Sequence, residues 1–129
     1  MIAKDIMTRD VITVSPATTV RGVAMALIKN QISGAPVADK SGKIIGIVSE
    51  SDIVAKKGKD VRSIMSRKVI SVVEETPVEE IAELMTTHHI KRLPVMNDGR
   101  VVGIVSRADI VSAIALGKHV ALHTPVYDL

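Results

Sequence analysis

The stretch GIVSESD, residues 46–52, returns as GIVSRAD, residues 103–109. Three further stretches recur around it in the same order: IMTR at 6–9 as IMSR at 64–67, VITV at 11–14 as VISV at 69–72, and Pro36-Val37 as Pro94-Val95. With one single-residue gap, 20 of 48 aligned positions are identical. Ordered matches of this kind indicate that one segment was duplicated. The fold is therefore expected to contain the same unit twice.

Each copy predicts the element order β-α-β-β-α after a short helical turn around residues 5–7, so the fold class is α/β (α+β). The turns Lys40-Ser41-Gly42 and Asn97-Asp98-Gly99 lie between apolar runs and predict hairpins. The first copy predicts a helix from Thr18 or Thr19 to about Asn30, strands at 11–14, 35–39 and 43–49, and a closing helix at 51–57. The closing helix of the second copy is predicted at 108–116.

Each copy is about 60 residues long, a size at which an isolated domain is only marginally stable. We therefore expect two copies that pack together, residues 1–58 and 59–117, followed by a C-terminal tail at 118–129. The joint would lie at residues 58–60. The lysines around it, Lys56, Lys57 and Lys59, are most simply interpreted as a solvated linker.

Apolar side chains recur at helical spacing in both long helices. The stripes are Val20, Val23, Ala24, Leu27 and Ile28 in the first copy, and Val78, Ile81, Ala82 and Met85 in the second. In the second copy Thr76 is the expected N-cap, with Pro77 in the first turn. The run IIGIV at 44–48 is continuous rather than alternating, which predicts a strand buried on both faces.

The pair Ser49 and Asp52 has two interpretations that share one geometry. A serine at the end of a strand can cap the next helix, and an acidic residue three positions later can complete a capping box. A helix N-terminus also attracts anions, and a carboxylate there can accept hydrogen bonds from both hydroxyls of a ribose. Gly46 leaves the preceding strand without a side chain, which allows close approach of another backbone.

The composition excludes several classes of function. There is no cysteine, which removes disulfides, thiolate metal sites and thiol nucleophiles. One Tyr is the only aromatic residue, so the core must be aliphatic and adenine cannot stack on Phe or Trp. The net charge of +3 favours anionic ligands without selecting one. No apolar run approaches the roughly 18 residues that span a bilayer, and the N-terminus lacks a secretory apolar region, so a cytoplasmic protein is expected.

No arrangement typical of catalysis is present: GxSxG, HExxH and the Walker loop are all missing. The chain is therefore predicted not to be an enzyme. His88 and His89 would diverge by about 100° on a helix, so no metal site is expected there. His119 and His123 are more simply explained as part of a polar tail or a partner contact.

The duplicated order, with IM[TS]R, the proline of APV and LPV, and GIVSxxD in each copy, resembles the CBS domain family, named for the regulatory region of cystathionine beta-synthase. The resemblance covers residues 2–116. It implies a CBS pair, or Bateman module, with pseudo-twofold symmetry and two ligand clefts between the copies. It further implies allosteric regulation by an adenosine ligand, such as AMP, ADP, ATP or S-adenosylmethionine, with no cofactor required.

Carried over residue by residue, the resemblance implies two sets of ligand-binding residues. The first site would comprise Ser49, Asp52, Ile70, Lys91 and Arg92. The second site would comprise Ser106, Asp109, Ile12, Ser33 and Gly34. Because only the first set contains adjacent cations, we expect it to bind a phosphorylated nucleotide more tightly. The second would bind a less charged ligand such as S-adenosylmethionine, or stay empty.

The resemblance also implies a homodimer, formed through helix faces that bear Met25, Ala26 and Met85. Residues 117–129 are too short for an effector domain, so the regulated partner is expected on another chain. Two alternatives stay open. The basic pI would suit a nucleic-acid-binding protein, although no aromatic stacking platform or basic recognition helix is present. A CBS pair that binds no ligand could instead serve as a purely structural dimerisation module.

Overall fold

A computed structural model describes residues 1–116. The elements, in chain order, are α1 (Ala3–Ile6), α2 (Val20–Lys29), β1 (Gly34–Ala38), β2 (Ile44–Ser49), α3 (Glu50–Ala55), α4 (Val61–Ile64), β3 (Val72–Val73), α5 (Val78–His88), β4 (Arg92–Asn97), β5 (Arg100–Ser106) and α6 (Arg107–Ala115). The mixed α/β fold class is confirmed. The predicted C-terminal tail, with His119 and His123, lies outside the described residues.

The chain forms two compact units. We name each unit after the aspartate of its Ser-x-x-Asp motif. The Asp52 unit comprises Asp10–Ile70 and Asp98–Val101. The Asp109 unit comprises Met1–Arg9, Ser71–Asn97 and the described chain from Val102 onward.

In both copies the two strands predicted to form a hairpin are neighbours in a sheet. In the Asp52 unit, β1 and β2 pair antiparallel from Gly34 opposite Ser49 to Ala38 opposite Ile44. In the Asp109 unit the strand order is β3-β4-β5, and β3 runs parallel to β4. The turns carry left-handed backbone, with φ of 85° at Gly42 and 75° at Gly99, a conformation that glycine adopts without steric cost.

The first predicted strand of each copy is much shorter than expected. Of residues 11–14, Val14 alone joins the ladder, through one parallel bridge to Val37. In the second copy the strand is Val72–Val73 rather than 69–72. Val14 donates to the Pro36 carbonyl and accepts from the Ala38 N–H, and β3 pairs only with Val95 and Met96.

The helix stripes are mostly buried as predicted, with one exception. Val23 and Leu27 of α2 and Ile81 and Met85 of α5 lie in the core. Ile28, however, is 79% exposed, because it lies about 100° around the helix from the buried Leu27, on the side of α2 that faces solvent.

Two further details differ from the predictions. Pro77, not Thr76, occupies the N-cap of α5, and the Thr76 hydroxyl instead accepts a hydrogen bond from the Val73 N–H (3.1 Å). The strand β2 is not buried on both faces: Gly46 and Val48 are buried, whereas the isoleucines that alternate with them are half-buried. One face of β2 therefore packs on the core and the other is only partly covered.

The opening helices are exchanged between the repeats. Ala3 and Met7, from the start of the first repeat, belong to the apolar core of the Asp109 unit. Ile64 and Met65, from the start of the second repeat, belong to the core of the Asp52 unit. The division of the sequence into repeats at 1–58 and 59–117 stays a prediction; the compact units in the fold cross it.

Each exchanged segment bonds to the glycine-bearing strand of the unit it enters. Thr8 and Ile104 exchange two backbone hydrogen bonds (2.9 and 3.0 Å), and Ser66 and Ile47 exchange two of the same kind (2.8 and 2.9 Å). A Cβ on Gly46 would lie 2.8 Å from the backbone carbonyl oxygen of Ser66, closer than real Cβ atoms approach. The glycine of GIVS is therefore needed for the close approach that the sequence predicted.

Candidate functional site

The capping box at the start of α3 is formed in full. The Asp52 N–H points at the Ser49 hydroxyl oxygen (3.4 Å), and the Ser49 N–H donates to Asp52 Oδ2 (2.9 Å). The Ser49 hydroxyl also lies 3.1 Å from the same carboxylate oxygen. These reciprocal contacts fix the Asp52 side chain against the end of β2.

The second capping box repeats this arrangement at the start of α6. The Asp109 N–H donates to the Ser106 hydroxyl (3.2 Å), and the Ser106 N–H donates to Asp109 Oδ2 (2.8 Å). Both aspartates are half-buried, so each carboxylate is held in place and remains partly accessible to solvent. The structural role that the sequence predicted for Ser-x-x-Asp is thus confirmed in both copies.

A lysine distinguishes the two carboxylates. Lys56 Nζ lies 2.8 Å from Asp52 Oδ1 and donates a second hydrogen bond to the Ile64 carbonyl (3.1 Å). The position four residues after Asp109 is Ala113, which is buried in the core. Lys56 was interpreted from the sequence as part of a solvated linker; its side chain is 46% exposed, and its ammonium group in addition contacts Asp52 and the Ile64 carbonyl. The i,i+4 spacing of acid and lysine is the signal that could have identified this pair.

The residues before the repeated prolines, Pro36 and Pro94, lie beside the capping box of the same unit. The Glu50 N–H donates to the Ser33 carbonyl (2.9 Å), and Gly34 pairs with Ser49 in the sheet. Likewise, the Arg107 N–H donates to the Lys91 carbonyl (2.8 Å), and Arg92 begins β4 next to it.

These hydrogen bonds occupy some of the backbone N–H groups that a helix N-terminus could otherwise offer to an anion. In α3 the N–H of Glu50 is bonded to Ser33 and that of Asp52 faces Ser49. In α6 the corresponding N–H groups, of Arg107 and Asp109, are bonded in the same way. The second residue of each helix is Ser51 in α3 and Ala108 in α6. Within residues 1–116, its backbone N–H is the one in the first turn that has no such capping hydrogen bond.

Shallow grooves flank these positions in each unit. A groove of about 330 Å³ in the Asp109 unit is lined by Met85, Thr86, His89, Ile90, Lys91 and Arg107. The counterpart in the Asp52 unit, about 370 Å³, is lined by Leu27, Ile28, Gln31, Ile32, Ser33 and Glu50. The first groove carries two cations and a histidine, whereas the second carries a carboxylate and neutral side chains.

The aliphatic candidates both lie in the Asp52 unit. Ile12 is 37% exposed, and Ile70 is half-buried at the end of the unit. The predicted sets combine Lys91 and Arg92 with Ser49 and Asp52, and Ile12, Ser33 and Gly34 with Ser106 and Asp109. Each set draws on both units, so this combination stays a prediction.

Two carboxylates outside the capping boxes, Asp39 and Asp60, have lowered pKa values. The Ser41 hydroxyl hydrogen-bonded to Asp39 (2.6 Å) is the main cause that lowers the pKa of Asp39 below its ordinary value. The Ser63 side chain, followed by its backbone N–H, does the same for the pKa of Asp60. Both are turn and cap interactions in the Asp52 unit and lie outside the candidate binding residues.

Residues 1–116 contain neither a metal-binding cluster nor a membrane-spanning helix. No group of three or more His, Asp or Glu side chains in that range could hold a metal ion. His88 ends α5, and His89 follows it in the left-handed conformation (φ 55°). Within the same range, no helix is long and apolar enough to cross a bilayer.

The family model for the CBS domain matches the chain twice, at residues 3–58 and 61–116. The two matches together cover most of the chain, and this protein therefore belongs to the CBS domain family as a CBS pair. The recognition from the duplicated motifs is confirmed.

Relatives of two kinds share this pair. An uncharacterised protein of Methanocaldococcus jannaschii, MJ1426, is 34% identical over 88% of this chain and 91% of its own length. The inosine-5′-monophosphate dehydrogenase and the L-aspartate semialdehyde sulfurtransferase of the same organism are each 37% identical over 84% of this chain. This chain spans only 23% and 22% of the length of those two enzymes.

Solved structures extend the likeness to three dimensions. The CBS domain pair of protein MJ0100, in complex with 5′-methylthioadenosine and S-adenosyl-L-methionine, superposes with a TM-score of 0.87 at 35% identity, covering 92% of this chain and 98% of that one. The structure of CBSX2 in complex with AMP superposes with a TM-score of 0.82 at 28% identity, covering the same shares.

Proposed function

We propose that this chain is a regulatory module that binds adenosine-containing ligands and has no catalytic activity of its own. The observation that carries the proposal is the pair of capping boxes, each of which holds a half-buried carboxylate in a fixed position at the start of a helix. Similar CBS pairs that bind AMP, or 5′-methylthioadenosine with S-adenosyl-L-methionine, support the choice of ligand class.

A thermal-shift panel tests this proposal. Wild type, Asp52→Asn and Asp109→Asn would be melted with AMP, ADP, ATP and S-adenosylmethionine. Asparagine keeps the size and the capping oxygen of the side chain while it removes the charge that a ribose diol would bind. We expect at least one ligand to stabilise the wild type and each variant to lose part of that gain. A wild type that none of the four ligands stabilises would refute the proposal.

We further propose that the set containing Lys91 and Arg92 takes the more phosphorylated ligand. Its support is the chemistry of the two pre-proline pairs: two adjacent cations in one repeat, and Ser33 with Gly34 in the other. Arginine can contact a phosphate with two parallel hydrogen bonds. Calorimetry with ATP on Arg92→Ala, with Arg100→Ala as a control for charge, should show weaker binding for Arg92→Ala alone; an unchanged ATP affinity would contradict the idea.

Recognition of the base is proposed to be aliphatic. The chain has no Phe or Trp, so adenine would lie against side chains such as Ile12 and Ile70 and bond to backbone. The part-exposed Ile12 supports this, since an isoleucine left open to solvent gains from being covered.

A homodimer and a separate regulated protein remain proposals of the same kind. Met25 is 61% exposed on α2, which supports its suggested place in a helix-mediated contact. Met85 does not fit that role, because it is buried in the core of the Asp109 unit.

A further inference from the structure

The two capping-box carboxylates differ in how many hydrogen bonds they can still accept. An ionised carboxylate offers about four acceptor positions on its two oxygens. At Asp52, three donors already lie within reach: the Ser49 N–H (2.9 Å), the Ser49 hydroxyl (3.1 Å) and Lys56 Nζ (2.8 Å). About one position therefore remains.

Asp109 is much less occupied. Among the described residues, the Ser106 N–H is the one group that donates to its carboxylate (2.8 Å). The residue one helical turn later is Ala113, which has no donor side chain. About three acceptor positions remain open.

A ribose presents two neighbouring hydroxyls, and both need an acceptor if the diol binds a carboxylate side by side. Asp109 can accept both without giving up a bond. Asp52 can accept one, so the second must displace an existing donor. Lys56 is the donor that can leave most easily, because its side chain is 46% exposed and its ammonium can be rehydrated. The Ser49 N–H is fixed by the backbone.

We infer that Lys56 is an internal competitor for Asp52, so that ribose binding at Asp52 displaces the Lys56 ammonium and is weaker than at Asp109. This inference rests on the proposed function and adds a specificity-determining residue that the binding motif does not contain. It also connects the site to the segment between the repeats, because the same ammonium holds the Ile64 carbonyl at the end of α4 (3.1 Å). A ligand at Asp52 would thus change the contacts of that helix.

The test isolates the Asp52 site with an uncharged ligand. Adenosine is titrated by calorimetry into Asp109→Asn, with and without Lys56→Met. Because adenosine has no phosphate, removal of a lysine cannot act through attraction of the ligand's charge. We expect Lys56→Met to bind adenosine about two- to fivefold more tightly, the range that corresponds to releasing one part-exposed ion pair. Lys57→Met, which removes the neighbouring lysine, is the matched control and should leave the affinity unchanged.

A second ligand separates competition from a general change in structure. 2′-Deoxyadenosine has a single ribose hydroxyl on this edge, which fits the acceptor position that Asp52 still has. Lys56→Met should therefore leave its affinity nearly unchanged. An unchanged or weaker affinity for adenosine in Lys56→Met, or an equal gain for both ligands, would overturn the inference.

The outcomes also distinguish this inference from the proposed function. If AMP and adenosine bind the wild type and Asp52→Asn weakens them, the proposed function stands whatever Lys56→Met does. If neither ligand binds the wild type, the proposed function fails and this inference fails with it. Circular dichroism of each variant confirms that the fold is kept.

Discussion

The Asp52 unit and the Asp109 unit come from one duplicated sequence, yet their polar surroundings differ. Both place a glycine against a methionine, and both close a capping box between serine and aspartate. The first adds a lysine to its aspartate, and the second leaves its aspartate open. The apolar framework of the repeat is thus preserved while the residues around the carboxylates have diverged, which allows two similar sites to respond to different ligands.

Removal of residues 1–9 should produce the largest difference in stability between the Asp109 unit and the Asp52 unit. The deletion takes Ala3 and Met7 out of the Asp109 core and breaks the two hydrogen bonds between Thr8 and Ile104. Loss of one buried methionine side chain costs about 2–5 kcal/mol, so we expect at least about 3 kcal/mol of destabilisation. Amide hydrogen exchange should show the loss in the Asp109 unit first. Equal loss of protection in both units would contradict the assignment of this segment.

Gly103→Ala should destabilise the Asp109 unit by about 1–3 kcal/mol, the usual cost of overpacking. A Cβ there would lie 2.8 Å from Met7 Cγ. Chemical denaturation measures the change. The double variant with Met7→Ala should cost less than the sum of the two single variants, since the smaller side chain makes room. Strict additivity would show that the two residues are not in contact.

Ser106→Ala should cost about 1 kcal/mol, the typical value of a helix N-cap. It removes the acceptor for the Asp109 N–H (3.2 Å). Ser49→Ala, the same change in the other unit, should cost a similar amount, because the two boxes share their geometry. A large difference between the two variants in denaturant titrations would show that the surroundings of the boxes, and not the caps, set their stability.

Acid should weaken the Asp52 unit through Asp39 and Asp60 only below the pH at which ordinary carboxylates become protonated. The lowered pKa values of Asp39 and Asp60 mean that their hydrogen bonds stabilise the fold fully above the ordinary pKa of 3.8 and lose that contribution as pH falls through the lower folded values. Asp60→Asn should flatten the dependence of stability on pH in that acidic window. A slope identical to that of the wild type would mean that the Asp60 cap does not contribute.

The sequence was informative where the determinants are local. Ser49 and Asp52 lie three residues apart, so their capping box depends only on a strand that ends and a helix that begins. The hairpins followed from glycine in tight turns, and the α2 cap from Thr19, whose hydroxyl accepts from the Gly22 N–H (3.0 Å).

The sequence did not predict which of the two repeated strands each opening segment contacts. IMTR and IMSR are nearly identical, so nothing in them states which glycine-bearing strand each methionine will contact. Tertiary packing decided that Met7 faces Gly103 and Met65 faces Gly46.

The exchanged opening segments also set an order of assembly on the ribosome. Ser66 meets Ile47 a short way back along the chain, so this bridge can close soon after its residues are made. Thr8 must wait for Ile104, almost the whole described chain later. Contacts between residues so distant in sequence form slowly, because a long loop must close first. Residues 1–9 are therefore among the last to reach their native contacts, and until then Gly103 is not covered by Met7.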